Sequence, residues 1–172
     1  LLANGQKTKI LVTGENEESR LMRGKLENTP VVIQGNEIGI TESDKYLGFT
    51  VSQKGVQESI KMTLDERTKK AWNRQYLIKS AVNNPAMQKN GFVRSTAVLF
   101  RSIITPTLMY SCETWFGISK GFVKDLEKRY RKILCNILDI PVTGKYEALL
   151  NELGLIKAET FMDIQKMCFI NN

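Results

Sequence analysis

The chain has 172 residues, with 25 Lys+Arg against 18 Asp+Glu and a net charge of +7, a length suited to one domain with a substantial core. It contains no histidine, which excludes Ser-His-Asp and Cys-His catalysis, His-ligated zinc and haem held by a proximal His. Its three cysteines, Cys112, Cys135 and Cys168, are far apart, odd in number and without a CxxC pair; this argues against a disulfide scaffold or a thiolate zinc site and for buried free thiols in a reducing compartment.

The first 55 residues read as strands and turns. Thr8 to Thr13 is β-branched and apolar and stops at Gly14. Residues 15–28 are polar and charged, and are expected to form a surface loop. Val31-Val32-Ile33 runs into the turn signal Gln34-Gly35-Asn36-Glu37, after which Ile38-Gly39-Ile40 is expected to pair back as a hairpin. Tyr46 to Val51 reads as one further strand, ended by Lys54-Gly55.

From residue 56 the texture becomes helical. Ile60, Leu64, Ala71, Ile78 and Val82 form one apolar stripe at 100° per residue, ending near Asn83-Asn84-Pro85. A second helix is expected over roughly 88–104, with Val93, Ala97, Phe100 and Ile104 inward and Pro106 kinking or ending it. Leu108, Met109, Tyr110, Trp115 and Phe116 form the most apolar stretch and the expected centre of the core. A third helix starts near Ser119 and carries Phe122, Leu126, Tyr130, Ile133, Leu134 and Ile137, with Pro141 beyond it. Tyr146 to Leu153 reads as a short helix closed by Gly154, and residues 158–170 as a last amphipathic helix. The class is therefore α+β: a small antiparallel hairpin or sheet followed by a helical bundle.

The charge is concentrated. Residues 1–55 carry seven basic and seven acidic side chains, residues 56–110 nine and three, and residues 111–172 nine and eight. A localised excess points to a polyanion, because fields add over a Debye length of about 8–10 Å. On the middle helix Arg67, Lys70 and Arg74 sit at i, i+3 and i+7 beside the apolar stripe, with Lys61 and Lys69 further round. Such a border can track a phosphate backbone; the alternative is a solvated helix face. Trp72, Trp115 and Tyr130 offer stacking surfaces, although their spacing suits core packing better. No Asp-Asp pair, GxxxxGK[ST] or GxGxxG occurs, and Glu15, Glu17 and Glu18 read as solvated loop acids, so no metal site and no phosphate cradle is expected. No apolar run is long enough to span a membrane. The chain opens on Leu1-Leu2-Ala3-Asn4 without an initiator Met, which reads as the interior of a longer protein.

The order of segments resembles the reverse transcriptases of non-LTR (LINE-type) retrotransposons. Asn4 to Val12 resembles their N-x-x-K-T-K segment, which follows the catalytic aspartate strand of the palm. Lys45 to Val51 resembles the Y-L-G hairpin called the primer grip. Ile104 to Tyr110 followed by Trp115 resembles the I-x-P-x-L-x-Y…W stretch of the thumb region. Leu126-Glu127-Lys128 through Leu134, then Ala148 to Leu155, resemble the L-E-K…R-x-I-L and L-L-x-E-L-G-L segments beyond it. Each motif alone is weak, and the ordered set spans nearly the whole chain.

The resemblance implies roles. It makes residues 1–55 the end of the palm, 56–141 the thumb and 142–172 a connector. Lys7 would approach the phosphates of an incoming nucleotide, and Tyr46, Leu47 and Gly48 would hold the primer 3′ end. Lys61, Arg67, Lys70 and Arg74 would lie against the template–primer duplex, gripped through shape and backbone. The family's catalytic aspartates have no counterpart here, so this chain alone is expected to be inactive; Mg²⁺ is expected for the complete enzyme and no cofactor for this chain. The remaining expectations are an intracellular location, nuclear or cytoplasmic, and no membrane partner. The exposed sheet would be covered by the rest of the polymerase or by a protein partner. The rival reading is a domesticated, inactive remnant serving as a protein-interaction or scaffold module, possibly oligomeric.

Overall fold

A capped start explains the first helix, α1 (Glu17–Asn28). In the computed structural model, which describes residues 8–85 and 91–171, the Asn16 side chain accepts the Ser19 N–H at 3.0 Å. Glu17 and Glu18 occupy the first turn and Lys25 the last, the arrangement the helix dipole favours. The segment expected to be a loop is thus a helix. It buries no residue, so it carries no apolar stripe to announce it. Polar ties hold it: Arg23 donates to the carbonyls of Val12 and Gly14, and Ser19 Oγ to that of Thr13.

The strands are short. β1 (Lys9–Ile10) keeps only the centre of the expected first strand and pairs parallel with β3 (Asn36–Ile40), Lys9 facing Gly39. β2 (Val31–Ile33) pairs antiparallel with β3, Val31 facing Ile38, as the turn signal predicts, giving the order β1-β3-β2. Gln34 and Gly35, the two turn residues, both have positive φ, as a two-residue type I′ loop requires.

The run Tyr46–Val51 is not one strand. It is split into β4 (Ser43–Tyr46) and β5 (Phe49–Ser52), an antiparallel pair with Tyr46 facing Phe49 and Leu47-Gly48 as the turn. The outer edge of β5 is closed by the next helix, α2 (Val56–Val82). Thr63 Oγ1 accepts the Thr50 N–H at 2.9 Å, and Ser59 Oγ accepts the Ser52 N–H at 2.8 Å. Residues two apart in a strand and four apart in a helix repeat at similar lengths, about 6–7 Å. The two ladders therefore match.

The chain divides into two compact units between Thr63 and Leu64. In the second, α2 continues, followed by α3 (Phe92–Leu99), a π-helical turn at Phe100–Ile104, and α4 (Thr105–Leu108). Pro106 neither ends nor sharply breaks this run. It has no N–H to give to Ser102, and the preceding turn widens so that Thr105 N–H reaches the Phe100 carbonyl, five residues back. A 3₁₀ turn (Cys112–Thr114), α5 (Lys120–Leu138), α6 (Tyr146–Leu153) and α7 (Ala158–Ile170) complete the unit. Ser119 caps α5 by accepting the Phe122 N–H at 3.1 Å. Gly154, at φ +60°, closes α6 with a bond from Leu155 N–H to the Leu150 carbonyl, the Schellman pattern.

The core of this unit is the stripe Leu64, Ala71, Ile78 and Val82 of α2 with Phe100, Ile104, Leu108, Trp115 and the Leu126–Ile137 face of α5. Phe100 meets Tyr130 edge to face at 4.9 Å, and Trp115 meets Phe122 at 5.7 Å. Three expected core residues are exposed instead: Val93, Tyr110 and Phe116. Val93 stands in the first turn of α3, ahead of the widened turn, and is exposed although Ala97 and Phe100 on the same face are buried. Among the described residues the fold is α+β, and no helix is long and apolar enough to cross a membrane.

Candidate nucleic-acid interface

The β4–β5 hairpin presents its tip to solvent. Tyr46 is 71% and Leu47 76% exposed. Leu47 has φ +46° and Gly48 φ +81°, the left-handed pair of a type I′ loop. Glycine adopts this freely; leucine is strained there by an amount on the order of 1–3 kcal/mol. Lys61, also in the first unit, is exposed and lies 3.9 Å from Glu58. Lys7 lies outside the described residues.

In the second unit the cations bordering the α2 stripe divide by partner. The Arg67 guanidinium lies 3.9 Å above the Tyr110 ring. Arg74 donates a hydrogen bond to Thr107 Oγ1. One flank of α2 is therefore stitched to the 105–110 segment by both arginines, with Lys70 exposed between them. A stacked guanidinium keeps its in-plane N–H groups directed outward from the ring edge, so the contact orients Arg67 without removing its charge.

The other flank of α2 meets α5. Arg129 reaches Asp65 at 2.6 Å and Thr68 at 3.1 Å on α2, and Asp125 at 2.8 Å on its own helix. Burial alone would lower the pKa of Arg129, and hydrogen bonds to Asp125 and Asp65 outweigh it and raise it. Lys132 Nζ sits 5.6 Å over the Trp72 ring, and Lys79 pairs with Asp139 at 3.0 Å. These contacts occur in the same chain order on both helices, so α2 and α5 run in the same direction.

This packing exposes a feature the sequence reading missed. Lys124, Lys128 and Lys132 stand at i, i+4 and i+8 on α5, all exposed. The neighbouring acids are engaged elsewhere: Asp125 with Arg129, and Glu127 with the Tyr146 hydroxyl at 2.9 Å and the Glu159 N–H. The helical spacing was available as a signal, but the near-neutral balance of residues 111–172 concealed it.

Burial pushes Cys112 and Tyr130 up to about 12, and raises Cys135. Tyr146 is raised by burial and by Glu127. Each of these groups is held protonated at neutral pH, away from the range a general base needs. Among the described residues no three or more His, Cys, Asp or Glu side chains converge as a metal site. The arrangement suits binding of an extended anion through fixed cations and exposed rings. Comparison with family models, curated proteins and solved structures finds no match.

Proposed function

We propose that this chain is the trailing palm, thumb and connector portion of a non-LTR retrotransposon reverse transcriptase, and that its own task is to grip the template–primer duplex. The observation that carries this reading is the flank of α2 on which Arg67 and Arg74 are pre-positioned by Tyr110 and Thr107 around the exposed Lys70. Cations already fixed lose less side-chain freedom when they meet phosphates, which favours a backbone grip. The ordered sequence segments support the same reading. So does the exposed hairpin tip at Tyr46, Leu47 and Gly48, which suits contact with a primer end. Polymerisation by the complete enzyme would rest on Mg²⁺ held outside this chain. The reading places the protein in the nucleus or cytoplasm, where its nucleic acid would be.

The test is binding of the full chain to an RNA–DNA hybrid duplex, followed by fluorescence anisotropy across a salt titration. Replacing Arg67, Lys70 and Arg74 by Gln should flatten the slope of log K against log salt by roughly 2–3, since each phosphate contact contributes about 0.9 on a duplex. Thermal melting of the variant separates lost contacts from lost folding. An unchanged slope in a folded variant overturns the duplex grip.

A specific observation favours the second reading, a protein-interaction module. β2 is an edge strand with Val32 and Ile33 exposed, and α1 exposes Leu21 and Met22. Apolar side chains on an open edge invite another chain. A well-folded oligomer in sedimentation, without affinity for the hybrid duplex, would favour it.

A further inference from the structure

The flank of α2 away from Arg67 and Arg74 carries a second basic surface of different make-up. Trp72 and Tyr76 lie at i and i+4 on α2, and so share one face. Tyr76 is 64% exposed and Trp72 half-buried. Lys69, one turn before Trp72, is exposed on the same face. Lys132 of α5 stacks over Trp72, so the row Lys124, Lys128 and Lys132 ends at these rings, with Lys128 level with the Asp65–Thr68 turn that Arg129 contacts. None of these three lysines has an ion pair among the described residues. At 100° per residue, Trp72 stands roughly 140° around α2 from Arg67, so this is not the proposed duplex surface.

We propose that the α2–α5 flank binds single-stranded nucleic acid, with the lysine row following the phosphates and the exposed Tyr76 offering a platform for a base where the row ends, beside the Trp72 ring that Lys132 covers. Two observations favour a single strand over other polyanions. The lysines repeat every four residues along a straight helix, about 6 Å apart, an extended line rather than a cluster. The exposed Tyr76 ring lies just past the end of that line; paired bases cannot use it, because their faces are already stacked within the duplex, whereas unpaired bases can. A membrane surface would need an apolar segment aimed outward between the lysines. Here Asp125, Glu127, Arg129 and Arg131 stand between the lysines, and the apolar Leu126 and the Tyr130 ring are buried. The inference does not depend on the duplex grip, which uses the opposite flank and separate residues.

The experiment uses the full chain and three probes: a fluorescent polypyrimidine RNA, a blunt RNA–DNA hybrid, and vesicles containing phosphatidylserine. Replacing Lys124, Lys128 and Lys132 by Gln should flatten the salt slope for the single strand by about 2, at about 0.7 per contact. Affinity for the blunt hybrid should stay within twofold. Arg at the same three positions should restore single-strand binding. Tyr76→Ala should weaken single-strand binding roughly 5- to 100-fold if a base stacks there. The proposal is overturned if the wild-type chain does not bind the single strand, or if the Gln variant keeps the wild-type slope. Equal losses on both nucleic acids, or vesicle binding that the RNA does not compete, would overturn it as well. Loss of duplex affinity in the Arg67, Lys70 and Arg74 variant reports on the other flank alone.

Discussion

Thr63 Oγ1 accepts the backbone N–H of Thr50 at 2.9 Å, so a helix side chain completes the hydrogen bonding of a strand edge. Both residues are buried, and a buried N–H left without an acceptor costs about 1–3 kcal/mol. Thr63→Val keeps the shape and removes the oxygen, and should destabilise the hairpin by that amount. Thr63→Ser should cost less. Amide hydrogen exchange reads the effect locally: Thr50 should exchange faster in Thr63→Val while Ser52, held by Ser59, changes less. Equal protection of Thr50 in the variant and the parent would show that the bond contributes nothing.

Gln75 is fully buried on α2, and neither its Nε2 nor its Oε1 has a hydrogen-bond partner. Burying an amide without compensation costs about 1–3 kcal/mol by mutational scales. Gln75→Met has a similar length and no polar tip. It should raise stability by about 1–3 kcal/mol and increase Tm. A lower Tm would mean that the amide is stabilising the core.

Leu47 sits at φ +46°, where a Cβ is unfavourable by about 1–2 kcal/mol. Leu47→Gly should therefore stabilise the isolated fold by about 1 kcal/mol in chemical denaturation. The same change should weaken binding of a primer terminus if the hairpin tip touches one. A variant that is more stable and binds a recessed-end duplex as before would remove the tip from the interface.

The three thiols should separate by reactivity. Cys168 is exposed, and Cys112 and Cys135 are buried. Burial raises Cys112 to about 12, with the Glu113 carboxylate adding to it, so almost none of it is thiolate at pH 8. A maleimide probe at that pH should label one cysteine rapidly and the other two only on unfolding, as read by intact mass. For a thiol raised from 9.0 to about 12 in the folded state, stability is undiminished below pH about 9. It falls as pH climbs toward 12, because the unfolded chain releases the proton first. Rapid labelling of Cys112 at pH 8 would contradict its burial.

The helical unit was readable from sequence because its burial is periodic. Leu64, Ala71, Ile78 and Val82 all lie in its core at the spacing the sequence displays, and Ile60, earlier on the same helix, is buried in the first unit. The helix α1 was not readable by that signal, since it buries nothing and owes its start to the Asn16 cap. The hairpin at Leu47-Gly48 was legible only through the resemblance to the Y-L-G segment; its residues alone read as one strand, because a leucine occupies a turn position where Asn, Asp or Gly is the usual choice. On α2 the sequence located Arg67 and Arg74 but not Tyr110 and Thr107, which lie more than thirty residues further on and meet them only through folding. The lysine row of α5 failed to register for an electrostatic reason. Charge counted along the chain adds Asp125 and Glu127 to it, and the folded chain points those acids at Arg129 and Tyr146.

The widened turn at Phe100–Ile104 also sets the angular phase of α4 and the residues just beyond it. It stores one residue more than an α-helical turn would use. Because the turn itself takes up the surplus residue, a one-residue deletion inside it would close it to an ordinary α-helical turn and leave α4 in nearly the same phase, with Thr107 and Tyr110 still aimed at Arg74 and Arg67. A further inserted residue has no such slack to fill; it would rotate α4 by about 100° and swing both partners off the α2 flank. The widened turn therefore acts as a length buffer for the aim of two arginines located earlier in the chain.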